Sequence, residues 1–145
     1  MKKLLLASVA LLGLSSQAFA ACAPTLSAGA NITSSATVAA GALSATLTST
    51  TNTYTYLNKV IVTGGGATAA LIVNGTITNV VGGPLNFAVP VPAGVLVGLT
   101  PIILDFSACP IQSVAPVNGI PQAITVSIPS FGAGNTNASV ILQGF

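Results

Sequence analysis

Residues 25–38 read TLSAGANITSSATV, and apolar and polar side chains alternate along them with a period of two. Such a period places successive side chains on opposite faces of a strand, so this stretch predicts one long β-strand. The apolar face contains Leu26, Ala28, Ala30, Ile32, Ala36 and Val38, with Ser34 as its only polar member.

The alternation changes phase shortly after this strand. Leu43, Ala45 and Leu47 form the next apolar set, and they are out of phase with Val38. A phase change requires a bulge or a bend, and Gly41 is the residue best suited to it.

The rest of the chain also has the composition of β-structure. Glu and Arg are absent, whereas Thr, Val, Ile, Gly and Asn are plentiful. Turn signals recur about every eight to twelve residues, the spacing typical of a sandwich or barrel. We therefore predict an all-β fold of about nine strands, an antiparallel β-sandwich of which the jelly roll is one arrangement.

Four local signals locate elements within the sandwich. Asn74-Gly75 between two apolar runs predicts a tight hairpin turn. Residues 95–99 and 102–106 are expected to be short buried strands. Pro90 and Pro92 cannot donate to a ladder of hydrogen bonds, so their segment is expected at an edge or in a loop.

The first twenty residues have the pattern of a cleaved export signal. Lys2 and Lys3 precede an apolar run at 4–14, and Ala18-Phe19-Ala20 supplies small residues at the cleavage positions. No later apolar stretch reaches the length of about 20 residues needed to span a bilayer. The predicted organisation is a signal peptide (1–20), an N-terminal arm or first strands (21–50) and a sandwich body (51–145). The predicted location is extracellular or at the cell surface.

Two cysteines remain after the expected cleavage, Cys22 and Cys109. An even count in an oxidising compartment favours a disulfide, either within one chain or between neighbouring subunits. A third alternative is lipidation of Cys22, because Phe19-Ala20-Ala21-Cys22 loosely resembles a lipoprotein signal.

The near-absence of charge excludes several functions. Outside the signal, the chain has one base, Lys59, one acid, Asp105, and no His. Nucleic-acid binding needs Lys and Arg to neutralise phosphates, and most enzymes need proton-transfer groups. We therefore predict no enzyme activity, no cofactor and no metal site. Lys59 is expected to be solvated, and Asp105 is expected to cap nearby N–H groups.

Some polar and aromatic residues indicate surface contacts. Asn31, Asn74 and Asn137 each begin an Asn-x-Ser/Thr pattern and are candidate glycosylation sites. Tyr54 and Tyr56 are expected on one strand face, either within the core or an interface or as a platform for a sugar ring.

Two resemblances extend this interpretation. Residues 102–106, the strand at 123–127, the Gly132-Ala133-Gly134-Asn135 loop and the terminal strand look like the closing half of small jelly-roll domains. The whole mature chain resembles pilin-like subunits joined by donor-strand exchange. That resemblance implies that the N-terminal arm completes the sheet of the next subunit. The two cysteines lie farther apart than in chaperone–usher pilins, and the chain ends in Gln143-Gly144-Phe145 without their penultimate Tyr.

The predicted function is that of a structural subunit in an extracellular self-assembling polymer, such as a filament, sheath or surface coat. Its expected partner is another copy of itself, joined by β-strand addition. The alternative is a small secreted adhesin or carbohydrate-binding module that uses residues 130–137 or the Tyr54/Tyr56 face.

Overall fold

The computed structural model describes residues 32–50 and 53–145. The signal peptide, Cys22, Asn31 and the arm residues Leu26, Ala28 and Ala30 lie outside the described residues. Within them the fold is all-β, without a helix. The strands are β1 (Ile32–Val38), β2 (Leu43–Leu47), β3 (Tyr56–Gly64), β4 (Leu71–Thr78), β5 (Leu85–Val91), β6 (Ile102–Asp105), β7 (Ile111–Gln112), β8 (Ile124–Ile128) and β9 (Ala138–Gly144).

The strands form two antiparallel sheets with nested connectivity. Sheet 1 has the order β1-β9-β3-β6, with β7 also paired to β3, and sheet 2 has the order β2-β8-β4-β5. In chain order, the first described strand pairs with the last (β1 with β9). The next pairs in from both ends of the chain are β2 with β8, β3 with β6 and β4 with β5. This nested pairing defines a jelly roll, so the predicted antiparallel sandwich is confirmed in its more specific form.

A single core fills the space between the sheets. Alternate residues of β2, β8 and β9 point inward and are buried, as a period of two requires. Phe131, in the connection between β8 and β9, is the largest fully buried side chain. The inner faces of both sheets contribute to one cluster, which includes Leu43, Leu47, Leu57, Val60, Val62, Ile77, Val89, Val91, Ile124, Val126, Ile128, Val140 and Leu142.

The change of phase after residue 38 marks a change of sheet. β1 belongs to sheet 1 and β2 to sheet 2, and residues 39–41 form the bend between them. The bend is where the sequence predicts it, but Ala40 carries the positive φ of 56°. A Cβ at Gly41 would lie 2.6 Å from Cγ1 of Val38, so Gly41 allows close approach of the chain.

The predicted hairpin at Asn74-Gly75 is wrong, because β4 runs straight through both residues. Gly75 points into the core and pairs directly with Phe87 of β5. The ring of Phe87 occupies the space in which a Cβ at position 75 would stand. This glycine is needed for packing, and the actual turn between β4 and β5 includes Gly82 and Gly83, both with positive φ.

The expectations for residues 95–106 are corrected in part. Residues 95–99 form a turn instead of a buried strand, and only Leu99 among them is buried. Leu96 is 97% exposed. Residues 102–105 do form a strand, but it lies at the edge of sheet 1 and Ile103 is 57% exposed. Pro90 lies in edge strand β5, as expected.

Antiparallel order gathers the connections at two ends of the sandwich. The Gly65 end contains residues 39–42, 65–70, 92–101 and 129–137. The Asn79 end contains residues 48–50, 53–55, 79–84, 106–110 and 113–123.

Candidate functional site

Strand β1 forms an open edge of sheet 1. It pairs with β9 from Ile32 to Val38, and no other described strand pairs with it. Thr33, Ser35 and Thr37 are exposed on its outer face. An edge strand of this kind presents a row of N–H and C=O groups to any strand that approaches it.

The four edges of the sandwich differ in how well they are protected. β5 contains Pro90, and β6 has only four residues and ends at Asp105. Proline, charge and short length all hinder strand addition. By contrast, β1 and β2 contain neither proline nor a charged residue, and they lie in contact on the same side of the sandwich. Among the edges formed by the described strands, those of the β1/β2 side are therefore the least protected against strand addition.

The described half of the predicted arm has the expected alternation. Ala36 and Val38 are partly buried and pack against the core, whereas their polar neighbours are exposed. The structure pairs this half with β9 of its own chain. Whether the arm also joins a neighbouring subunit stays a prediction.

The outer face of sheet 1 combines an apolar row with a charged row. Ile141, Ile61 and Ile103 are paired neighbours across β9, β3 and β6. The next row on this face contains Gln143, Lys59 and Asp105 in the same strands.

Hydroxyl and amide groups cover most of the outer face of sheet 2. One row crosses all four of its strands through Ser44, Ser127, Thr76 and Asn86. Within this row the Thr76 hydroxyl donates to Oδ1 of Asn86 at 3.0 Å. Both outer faces are thus almost uncharged, which removes charge repulsion between copies.

Lys59 and Asp105, the two charged side chains of the described residues, form an ion pair. Nζ of Lys59 lies 3.5 Å from Oδ2 of Asp105. The backbone N–H of Ser107 donates to Oδ1 of Asp105 at 2.9 Å, which confirms the predicted capping role. Hydrogen bonds from Ser107, followed by the charge of Lys59, lower the pKa of Asp105. The described residues contain no group of three or more metal-ligating side chains.

The two tyrosines do not share an exposed strand face. Tyr54 lies before β3, and Tyr56 is buried at its start. The ring of Tyr56 stacks on Phe145 with ring centroids 5.2 Å apart. Burial, together with the nearby Tyr54, raises the pKa of the Tyr56 phenol. The pair is therefore not a platform for a sugar ring.

Residues 130–137 form the loop expected from the sequence, and Asn135 fixes it to the β3–β4 connection. Nδ2 of this buried side chain donates to the carbonyl oxygens of Gly65, at 2.7 Å, and Gly66, at 3.2 Å. Oδ1 of Asn135 is buried without a hydrogen-bond partner. The backbone N–H of Gly65 also donates to the Asn137 carbonyl at 2.9 Å. Hydrogen bonds thus join the β8–β9 loop to the β3–β4 connection at the Gly65 end.

A two-residue hairpin at the Asn79 end was missed by sequence reasoning. Val117 and Ile120 form a bridge with reciprocal backbone hydrogen bonds of 3.1 and 2.9 Å. Asn118 and Gly119 between them have positive φ of 51° and 76°. Positive φ at both central residues defines the type I′ turn that favours Asn-Gly. The dipeptide itself was the signal that could have revealed it.

Asn79 forms hydrogen bonds with both ends of residues 114–123, the segment that contains this hairpin. The Val114 N–H donates to the Asn79 carbonyl at 2.9 Å, and Nδ2 of Asn79 donates to the Ala123 carbonyl at 3.0 Å. Both ends of residues 114–123 are therefore attached to one residue. Val117 and Ile120 lie between these two ends and are exposed.

The candidate modification sites are accessible where they are described. Asn74, on the outer face of β4, and Asn137, before β9, are both exposed. Cys109 lies in a turn, and its backbone N–H donates to the Phe106 carbonyl at 2.9 Å. The described residues contain no free cysteine. Glycosylation and the Cys22–Cys109 pairing stay predictions.

No protein-family model, no curated protein and no solved structure matches this chain. Among the described residues, no helix has the length and apolarity needed to cross a membrane.

Proposed function

We propose that this protein is the structural subunit of an extracellular self-assembling polymer whose copies are joined by β-strand addition. The observation that carries the proposal is the open edge of β1, seven residues long and without proline or charge. Main-chain hydrogen bonds along such an edge give affinity without charged anchors. The added strand comes from the N-terminal arm of the neighbouring copy, whose predicted apolar face begins at Leu26.

The distribution of charge supports close packing of many copies. The two charged side chains of the described residues pair with each other on sheet 1, so neither repels a neighbouring copy as an isolated charge. A surface with almost no charge promotes association. In a monomer this composition is a liability, and in a polymer it removes the main electrostatic cost of packing.

The experiment places lysines on one edge at a time. Thr33→Lys with Ser35→Lys adds charge to β1, and Asn86→Lys with Ala88→Lys adds the same charge to the outer face of edge strand β5. Negative-stain electron microscopy of the chain beginning at Ala21 is expected to show filaments or sheets for the wild type and the β5 variant. The β1 variant is expected to give discrete particles with an unchanged circular dichroism spectrum.

Either of two results contradicts the proposal. If the wild-type chain gives discrete particles, it does not polymerise and the proposed function is wrong. Normal polymers from the β1 variant show that this edge is not where copies join.

The proposal also includes export, with removal of residues 1–20, and a Cys22–Cys109 disulfide within one chain. The mass of the secreted protein tests the cleavage. Electrophoresis of dissociated polymer without reductant tests the disulfide, because a bond between subunits gives a ladder of covalent oligomers. Release as single chains supports the intrachain bond.

A glycan-binding module is the second candidate. The loop at residues 130–137 supports it, because Asn135 holds the loop in place while Thr136 and Asn137 remain exposed. A loop that is fixed before binding loses less entropy when it binds. Saturable binding to one member of a glycan panel, by particles that do not polymerise, is the result that favours this candidate.

A further inference from the structure

Exposed large apolar side chains are concentrated at the two ends of the sandwich. The Gly65 end presents Val95, Leu96 and Val97, and the Asn79 end presents Val81, Val114, Val117 and Ile120. The two charged side chains of the described residues pair with each other on the outer face of sheet 1, where Asp105 borders the Asn79 end. Apolar patches at opposite ends of one subunit are typical of surfaces that bind protein.

The Gly65 end contains a cavity. It has a volume of about 460 Å³ and lies between the end of β5 and the start of β6. Its walls include Pro90, Pro92, Val97, Leu99 and Pro101, and no charged side chain contributes to it. A cavity with these walls suits an occupant that is apolar and uncharged.

The Asn79 end presents an occupant of that chemistry. The hairpin at residues 117–120 carries two exposed β-branched side chains, and Ile120 is 64% exposed. The hairpin is fixed by its I′ turn, and the segment that carries it is attached to Asn79 at Val114 and Ala123, so docking costs little conformational entropy. Like the cavity, it contains no charged side chain.

We propose that the 117–120 hairpin of one copy docks into the cavity at the Gly65 end of the next copy. The inference rests on the proposed function, since it names a second contact within the same polymer. Hairpin and cavity lie at opposite ends, so the contact is heterologous and each added copy exposes a new hairpin and a new cavity. Repetition of such a contact gives an open fibre instead of a closed dimer.

The test uses one variant for each partner surface. Ile120→Asp places a charge on the hairpin, and Val97→Asp places a charge in the cavity wall. Ile103→Asp is the matched control, because Ile103 is 57% exposed on the outer face of sheet 1 and belongs neither to the cavity wall nor to the hairpin. Each of the first two variants is expected to raise the critical concentration for polymer formation about ten- to a hundredfold, as loss of one buried apolar side chain implies. The control is expected to match the wild type.

A mixing experiment distinguishes this contact from strand addition. The two aspartate variants are prepared with Thr33→Lys and Ser35→Lys, so that the β1 edge is blocked. Each alone is expected to sediment as a monomer. An equimolar mixture is expected to give pairs and nothing larger, because the intact hairpin of Val97→Asp chains meets the intact cavity of Ile120→Asp chains.

The outcomes separate the two proposals. Failure of the wild-type chain to polymerise removes the proposed function, and this inference with it. Wild-type polymers together with an Ile120→Asp variant that behaves like Ile103→Asp overturn the docking proposal alone. A mixture that stays monomeric also overturns it.

Discussion

Phe87 lies over Gly75, its directly paired neighbour across β4 and β5, and its ring fills the space of the missing side chain. An aromatic residue opposite a glycine protects backbone that would otherwise be poorly packed. The pair joins an edge strand to the interior of sheet 2, and Phe87 packs against the core.

Gly75→Ala is expected to destabilise the fold by about 1–3 kcal/mol, because the new methyl group overlaps the ring of Phe87. Gly98→Ala is the control, since a Cβ there meets nothing within 4 Å. It is expected to change stability by less than about 0.5 kcal/mol. Urea unfolding followed by circular dichroism measures both. Equal stability of the two variants contradicts the packing role of Gly75.

Asn79 is expected to stabilise residues 114–123 through two separate properties. It has a positive φ of 62°, and its side chain donates to the Ala123 carbonyl. Asn79→Gly removes only the hydrogen bond, at a cost of about 1 kcal/mol. Asn79→Ala also places an alanine in the left-handed region, which costs about 1–2 kcal/mol more. Hydrogen exchange at Val117 and Ile120 is expected to be faster in both variants; unchanged exchange contradicts the attachment role.

Asn135→Asp is expected to loosen the Gly65 end in a pH-dependent way. A carboxylate cannot donate to the Gly65 and Gly66 carbonyls, so at neutral pH the loss is about 1–3 kcal/mol or more. Burial without donors raises the pKa of the new acid in the folded state. Its protonated form donates again, so stability is present at low pH and is lost as the pH rises through that raised pKa. Unfolding curves at several pH values test this, and a loss that does not vary with pH contradicts it.

The free energy of unfolding is expected to be nearly constant between about pH 5 and pH 9, because the chain has no His and one acid. The lowered pKa of Asp105 means that its contribution is present above the unfolded pKa and is lost as the pH falls through the folded one. The raised pKa of Tyr56 means that the free energy of unfolding falls as the pH rises above about 10, because the phenol then ionises more readily in the unfolded chain. Asp105→Asn is expected to reduce the fall in the free energy of unfolding at acid pH. If that fall is unchanged in the variant, Asp105 is not its cause.

The sequence predicts the fold class well because alternation of apolar and polar residues is a local property. In β1, Ala36 and Val38 face the core as the period of two requires, and β6 and β8 lie within one residue of the strands predicted at 102–106 and 123–127. The pairing of β1 with β9 could not be predicted, because it depends on contacts between residues a hundred or more positions apart.

The two Asn-Gly dipeptides show where local signals fail. Asn74-Gly75 lies inside β4, because Phe87 of the partner strand needs the space at position 75. Asn118-Gly119 forms the actual type I′ turn. A β-branched residue stands on each side of both dipeptides, so the flanking residues do not distinguish them and the partner strand does.

The candidate docking surfaces were less predictable than the fold. Residues 95–99 have the composition of a buried strand, yet most of their side chains are exposed. Apolar residues at a surface that binds a partner cannot be distinguished by composition from residues of the core.

The nested pairing also limits the order in which the two sheets can form. β9 lies between β1 and β3, and β8 lies between β2 and β4, so the last two of the described strands in chain order are interior strands, one in each sheet. A nascent chain that ends before residue 124 can form the β4–β5 hairpin, but it has nothing to join β1 to β3 or β2 to β4. Neither sheet can be completed until residues 124–144 are available for pairing. The closure of both sheets is therefore expected to be one late event in folding.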